Sequence, residues 1–182
     1  EIVDCDWSSD VCSSDLATLG ASYGIYSGYE LYENVPAKPG SEEYLDSEKY
    51  QFKPRDWSQA GPMRELIARI NQIRREHAAL QQNRTLAFHQ VDNGALLFYS
   101  KTRVGSGSDR ERVFVIANHD VHGVQHGHVQ MPIWELGIDP RRPYVVHDLL
   151  DGARYTWRGD WNYVKLEDRK STRLNSSHSQ QS

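Results

Sequence analysis

The stretch TLAFHQVDNGALLFYSKTR, Thr85–Arg103, decides the fold of the second half of this 182-residue chain. Apolar and polar side chains alternate on both sides of Asp92-Asn93-Gly94, a typical turn sequence between paired strands. The same period of two continues to residue 167 and predicts seven short strands: TLAFHQV, ALLFYSKTR, RVFVIANH, GVQHGHVQM, PYVVHDL, ARYTWR and NYVKLE. Strands of this length and spacing are typical of an antiparallel β-sandwich, which we expect over residues 84–167.

A helix is predicted immediately before the strands. Gly61-Pro62 marks its start, because the first helical turn has no use for the N–H that proline lacks. Arg74 and Arg75 lie near its C-terminal end, where positive charge suits the helix dipole. Six residues recur at helical spacing: Met63, Leu66, Ile67, Ile70, Ile73 and His77.

The residues before the helix predict one strand and one long loop. Tyr23–Glu30 is short, apolar and bounded by glycine, which favours a buried strand. The following run, YENVPAKPGSEEYLDSEKYQFKPRDW, is too long for a simple connection inside a compact domain. Loops of this length are usually functional or disordered, and its aromatic residues favour an ordered one.

The two ends of the chain are related to each other through their codons. A DNA sequence that encodes Asp6–Leu16 has a complementary strand that, in another frame, encodes Asp168–Ser177. Both segments resemble translated sequencing-library adapter. We therefore exclude residues 1–16 and 168–182 from the prediction of fold and function, and we treat Ala17–Glu167 as the protein insert.

Composition limits the function classes. The insert has no cysteine, since Cys5 and Cys12 both lie in the excluded segment, and this fits a reducing compartment. It has no apolar run of transmembrane length. A net charge of −4 gives no reason to expect nucleic acid or an anionic membrane as a partner.

Four histidines form the first candidate site: His119, His122, His126 and His128. Metal ligation requires imidazoles that converge, and His126 and His128 would share one face of a strand. A solvated strand face gives the same alternation, and only Asp120 offers an additional ligand. We therefore predict no metal site, and no cofactor of any other kind.

The long loop holds the second candidate site. Its carboxylates, Glu42, Glu43, Asp46 and Glu48, could supply a general acid or base, although a solvated acidic loop is the favoured interpretation. Lys49 and Tyr50 form a more informative pair. A lysine offers a compact charge suited to phosphate, and the tyrosine beside it offers a hydroxyl and a ring.

A family resemblance extends over essentially all of Ala17–Glu167. SYGIYSGYELYENVPAKPGSEEYLDSEKYQFKPRDW, LIARINQIRREHAALQ, DNGALLFYSK, RVFVIANHD and VHDLLDGARYTWRGDWNYVKLE closely resemble the GlgE family. These are bacterial α-1,4-glucan:maltose-1-phosphate maltosyltransferases of the α-amylase superfamily (glycoside hydrolase family 13).

The resemblance implies a fold and a binding site. Tyr23–Glu30 would be the last strand of a (β/α)8 TIM barrel and Met63–Leu80 its closing helix, so that residues 17–83 end the catalytic barrel. Residues 84–167 would form the C-terminal β-sandwich. Barrel active sites lie at the C-terminal ends of the strands, which would place the long loop beside the substrate. The resemblance implies that Lys49 and Tyr50 in this loop contact α-maltose 1-phosphate.

The resemblance also implies a reaction. A maltosyl unit passes from α-maltose 1-phosphate to the non-reducing end of an α-1,4-glucan with retention, and the family enzyme is a cytoplasmic homodimer. The catalytic carboxylates and the dimer contacts would lie upstream of Ala17, so no catalytic residue is assigned and the chain alone should be inactive. The alternatives are another superfamily hydrolase, a trehalose mutase, or a β-sandwich glucan-binding module.

Overall fold

The computed structural model describes residues 17–33, 35–41, 43–45, 52–58, 61–104, 110–120, 123–166 and 172–177. Helices occupy a small part of these ranges, and antiparallel strands occupy a larger part. None of the helices in the described ranges has the length and apolar character needed to cross a membrane.

The strands form two antiparallel sheets. The seven predicted strands correspond to β1–β7, and the bounds of all eight strands are as follows: β1 Ala87–Phe88, β2 Leu96–Val104, β3 Arg110–Asn118, β4 Gln125–Gln130, β5 Pro143–Asp148, β6 Arg154–Arg158, β7 Trp161–Leu166 and β8 Thr172–Ser177. One sheet has six strands in the order β1-β2-β3-β8-β5-β6, and β4 pairs with β7 in the second sheet. The antiparallel β architecture predicted from the sequence is therefore confirmed.

Strand β8 was not predicted. It lies between β3 and β5, with backbone register from Arg112↔Ser177 to Ala117↔Thr172 on one side. On the other side only His147↔Ser176 and Asp148↔Asn175 are paired. The residues of β8 belong to the segment that we assigned to adapter, so the prediction of seven strands did not include β8.

The hydrophobic core lies on both faces of β3. Phe114 and Ile116 contribute to a cluster that includes residues of β4 and β7, so the two sheets pack face to face. Val113 and Val115 belong to a second cluster, which includes Ile73 of the helix before the strands. Because β3 is buried on both faces, its sequence VFVIA is continuously apolar rather than alternating.

The predicted helix forms and covers the second cluster. Helix α1, Pro62–Glu76, begins after the extended Gly61, and its apolar face is buried. The prediction that it continues to Leu80 is wrong. His77 leaves helical geometry at φ −113° and ψ 90°, and a 3-10 helix, Ala78–Gln81, follows. A second short helix, α2, Ile133–Leu136, connects β4 to β5.

The structure does not form the predicted strand at Tyr23–Glu30. Residues 23–26 have no regular secondary structure, and a 3-10 helix, Tyr29–Leu31, follows Gly28. Tyr26 is exposed rather than buried. A strand requires a neighbour that accepts and donates its backbone hydrogen bonds, and within the described ranges no strand pairs with this segment. The end of a barrel is therefore not part of the observed fold.

Candidate functional site

The long loop turns back on itself soon after the 3-10 helix Tyr29–Leu31. An isolated antiparallel bridge joins Pro36 to Tyr44. The Ala37 amide donates to the Glu43 carbonyl at 2.7 Å, and the Leu45 amide donates to the Val35 carbonyl at the same distance. These bonds join residues 35–37 to residues 43–45 in a small excursion from the base of the loop.

Three charged side chains hold the base of the loop together, and we call them the Glu33 anchor: Glu33, Lys53 and Arg55. Lys53 Nζ donates to Glu33 Oε2 at 3.1 Å, and Arg55 Nε donates to Glu33 Oε1 at 3.1 Å. Arg55 Nη2 also donates to the carbonyl of Ser27 at 3.1 Å. The anchor thus joins the chain before the loop to the chain that returns from it.

The charges in the anchor are partly shielded from water. The Arg55 side chain is 3% exposed. Desolvation alone would raise the pKa of Glu33, but the hydrogen bonds and charges of Arg55 and Lys53 outweigh it and hold the pKa of this carboxyl below its usual value. Glu33 is therefore ionised at neutral pH, and each of its oxygens accepts a charge-assisted hydrogen bond.

Most of the predicted site residues of the long loop lie outside the described residues. Lys49 and Tyr50 lie outside the described residues, as do Glu42, Asp46 and Glu48. Glu43 is described and exposed, in the excursion after Ser41. The anchor brackets residues 49 and 50 in sequence, with Glu33 before them and Lys53 after them.

The anchor was not predicted from the sequence. Its members are 20 and 22 residues apart, too far for a periodic pattern to connect them. The available signal was chemical, since one acid lies at the start of the proline-rich loop and two bases lie near its end.

Aromatic side chains are exposed around the same loop. Tyr26 and Tyr44 contact each other with their ring centroids 6.0 Å apart. Tyr32, Phe52 and Trp57 are also exposed. Exposed rings and the charged groups of the anchor therefore occur along the same loop.

The histidines lie elsewhere, in the β-sandwich. His126 and His128 share the exposed face of β4, as predicted, and His122 lies outside the described residues. His128 Nδ1 lies 2.8 Å from Asp92 Oδ2. The hydrogen bonds from the backbone and side chain of His128 hold the pKa of Asp92 below its usual value. In the part of the chain that the structure describes, no group of three or more His, Cys, Asp or Glu side chains could hold a metal ion.

A cleft of about 400 Å³ lies between residues 21–23 and the C-terminal half of α1. Arg74 lies in this cleft and donates to the carbonyls of Gly20 at 3.1 Å and Ala21 at 2.7 Å. Its guanidinium also lies 5.1 Å from the ring centroid of Tyr23. Burial lowers the pKa of Arg74. Because these carbonyls accept hydrogen bonds from the Arg74 guanidinium, Arg74 holds residues 20 and 21 against α1.

Two comparisons of sequence identify the family. Residues 88–173 match the family model described as GLGE, C-terminal. The chain is 52% identical over 155 residues to alpha-1,4-glucan:maltose-1-phosphate maltosyltransferase 2 of Streptomyces coelicolor, a match that covers 83% of this chain and 22% of that protein. The chain belongs to the GlgE family. It is also 47% identical over 144 residues to the maltosyltransferase of Rhodospirillum rubrum, over 79% of this chain and 20% of the relative. This GlgE-family chain thus spans about a fifth of the length of the curated relatives that it matches.

Solved structures with the same fold include α-amylases. The α-amylase of Geobacillus thermoleovorans, in complex with acarbose, matches with a TM-score of 0.60 at 15% identity, over 94% of this chain and 33% of that one. The maltogenic α-amylase AmyB of Thermotoga neapolitana matches with a TM-score of 0.59 at 11% identity, over 92% of this chain and 36% of that one. The GlgE-family chain therefore has the fold of the corresponding part of α-amylases.

Proposed function

We propose that the chain is the C-terminal part of an enzyme that transfers a maltosyl unit from α-maltose 1-phosphate to the non-reducing end of an α-1,4-glucan, with retention. The observation that carries this proposal is the 52% identity to a protein named for that reaction. The identity extends over 83% of the chain, a share too large for the β-sandwich alone.

The long loop supplies the residues for the donor. Lys49 places a cationic amine beside the phosphate, and the Tyr50 hydroxyl contacts the sugar or the phosphate. The Glu33 anchor supports this proposal, because ion pairs with low exposure fix both ends of the segment that contains these residues. Exposed rings of the same loop provide apolar surface for a disaccharide.

Residues 17–83 form the end of a (β/α)8 barrel in the complete protein. There α1 is the closing helix, and the long loop before it lies at the end of the barrel that holds the active site. The similarity to α-amylases over more than nine tenths of the chain supports this arrangement. The catalytic carboxylates belong to residues upstream of Ala17, and assembly of the complete enzyme as a cytoplasmic homodimer stays a prediction.

The proposal is tested on the full-length protein with radiolabelled maltose 1-phosphate and glycogen. We expect labelled maltosyl units to appear in the glycogen together with release of inorganic phosphate. Release of free maltose without extension of the glycogen would instead identify a hydrolase of the same superfamily. Conversion of maltose to trehalose would identify a mutase. If there is no turnover and glycogen still binds, a glucan-binding role remains.

The role of Lys49 is tested by Lys49→Ala in the same protein. Loss of a charge-assisted hydrogen bond to phosphate should lower kcat/KM for maltose 1-phosphate by about 5- to 150-fold. Lys38→Ala is the matched control, because Lys38 is an exposed lysine of the same loop. A maltosyl donor with a fluoride leaving group should be used equally well by Lys49→Ala and wild type. Equal losses with both donors would show that Lys49 acts on the loop rather than on the phosphate.

A further inference from the structure

The outer face of the β4–β7 sheet presents a row of rings. Exposed and buried residues alternate along both strands, so that one side chain in two points away from the core. The backbone register pairs His128 with Tyr163 and His126 with Lys165. Trp161 is 43% exposed and Tyr163 is 55% exposed, although both are large aromatic side chains.

The rings lie close enough to form one surface, which we call the ring surface: Trp161, Tyr163, His126 and His128. The Tyr163 ring centroid lies 5.7 Å from that of His128 and 6.1 Å from that of His126. Trp161 precedes Tyr163 by two residues on the same strand face, so their Cα atoms are about 6.7 Å apart. Rings at this spacing offer apolar area over more than one sugar residue.

Polar groups border the ring surface without giving it a strong charge. Asp92 accepts from the His128 amide at 2.6 Å and holds its ring through Nδ1. Asp160 accepts from Gln130 Nε2 at 3.1 Å, and Lys165 lies opposite His126. A phosphorylated or acidic ligand would meet two carboxylates here, whereas an uncharged polyhydroxylated chain would meet donors and acceptors on both sides of the rings.

We infer that the ring surface binds the α-glucan chain, with Trp161 and Tyr163 stacking on successive sugar rings and His128 hydrogen-bonding to a hydroxyl. This inference rests on the proposed function, because the glucan is the ligand that a maltosyltransferase must hold as acceptor. A contact on the β-sandwich would keep a long glucan on the protein between transfers. Binding would then strengthen with the length of the glucan.

The test compares Trp161→Ala and Tyr163→Ala with wild type in the full-length protein by affinity electrophoresis in gels that contain glycogen. Each substitution should weaken binding to glycogen by about fivefold to tenfold, as expected for the loss of one aromatic contact. Trp134→Ala is the matched control, since Trp134 is 75% exposed and lies on α2 outside the ring surface. Trp161→Phe should recover most of the binding, because it restores a ring without the indole N–H.

The outcomes separate this inference from the proposed function. Transfer of maltosyl units from maltose 1-phosphate to maltotetraose is measured for every variant. The mass of each variant in solution is measured as well. Unchanged glycogen binding in both alanine variants would overturn the inference and leave the transferase assignment intact. A change in oligomeric state with unchanged glycogen binding would also overturn it, since the ring surface would then be a contact between protein copies. Weakened glycogen binding in a protein that transfers no maltosyl units would support the ring surface and reject the proposed function.

Discussion

The β-sandwich and the long loop are ordered by different kinds of contact. In the described part of residues 84–166, strands exchange backbone hydrogen bonds with neighbours and bury apolar side chains on both faces of the large sheet. In the described part of residues 29–58, the contacts include one isolated backbone bridge and the charged pairs of the Glu33 anchor. Cooperative burial should therefore determine stability in the first region, and a few charged contacts should determine the second.

The largest expected effect comes from removing the same ring in each region. Phe114→Ala deletes a fully buried side chain of β3 and should lower the free energy of unfolding by about 3–5 kcal/mol. Phe52→Ala is the matched substitution in the loop, where the ring is 92% exposed. It should change the free energy of unfolding by less than about 0.5 kcal/mol. Urea unfolding followed by fluorescence of the buried Trp157 measures both. Similar losses in the two variants would mean that the loop is packed as tightly as the sandwich.

The second effect is a pH dependence that belongs to the sandwich alone. Lys101 is fully buried in β2, and desolvation, reinforced by the charge of Arg74, lowers its pKa to about 8. Below pH 8 the Lys101 amine is protonated in both the folded and the unfolded state, and its buried charge destabilises the folded state. Between pH 8 and the ordinary value of 10.5 the unfolded state binds more protons, so stability should rise with pH. The full change is on the order of 3 kcal/mol.

The measurement is the free energy of unfolding in urea between pH 7 and pH 10, for wild type and Lys101→Met. The variant should show a flatter profile, because methionine fills similar space without a titrating group. Burial raises the pKa of Tyr144 to about 12, so its ionisation lowers stability only as the pH rises above the ordinary value of 10. The scan stops at pH 10 for that reason. Identical slopes in wild type and variant would show that Lys101 does not titrate in this range.

The third effect tests the loop through its anchor. Gly28 has φ 97°, and a Cβ added there would collide with the Glu33 carboxylate and approach Arg55 Nε within 2.9 Å. Gly40 has φ 76°, but no atom lies within 4 Å of an added Cβ. Alanine costs about 1 kcal/mol at each position for its positive φ. Only Gly28→Ala should in addition displace the anchor.

Limited proteolysis of the loop distinguishes the two glycine variants. Gly28→Ala should be cleaved within residues 35–58 at least about fivefold faster than Gly40→Ala, because opening the anchor frees both ends of the loop. In the full-length protein Gly28→Ala should also raise the KM for maltose 1-phosphate. Equal cleavage rates would indicate that the anchor does not order the loop.

Local sequence predicted those parts of the fold whose partners lie nearby in the chain. Strands β2 and β3 are neighbours in sequence and in the sheet, and two largely apolar stretches with turn-forming residues between them were sufficient. Helix α1 was predicted from its apolar spacing, but its end at His77 was missed because residues 78–80 are still apolar or helix-forming. The strand predicted at Tyr23–Glu30 was wrong because a barrel strand depends on neighbours that local sequence does not describe.

The candidate site was less predictable than the fold, for a similar reason. Lys49 and Tyr50 were selected by residue type and family resemblance, and both lie outside the described residues. Glu33 and Arg55 form their ion pair across 22 residues, a distance over which charge type gives no register. The ring surface depends on the pairing of β4 with β7, which are separated in sequence by β5 and β6. Contacts between distant segments are thus the part that sequence patterns could not supply.

The smallest effect separates the anchor from an ordinary surface ion pair. Arg112 Nη1 donates to Glu135 Oε2 at 2.8 Å in the sandwich, but the Glu135 side chain is 62% exposed. Glu135→Gln should therefore lower the free energy of unfolding by about 0.5 kcal/mol or less, and 0.5 M NaCl should abolish the difference. Glu33→Gln is the control, because the buried Arg55 side chain would lose its charge partner. The loop of this variant should be cleaved faster than that of wild type, and the difference should persist in 0.5 M NaCl. If salt removed both effects equally, the anchor would be a screened surface pair, and the loop would need another source of order.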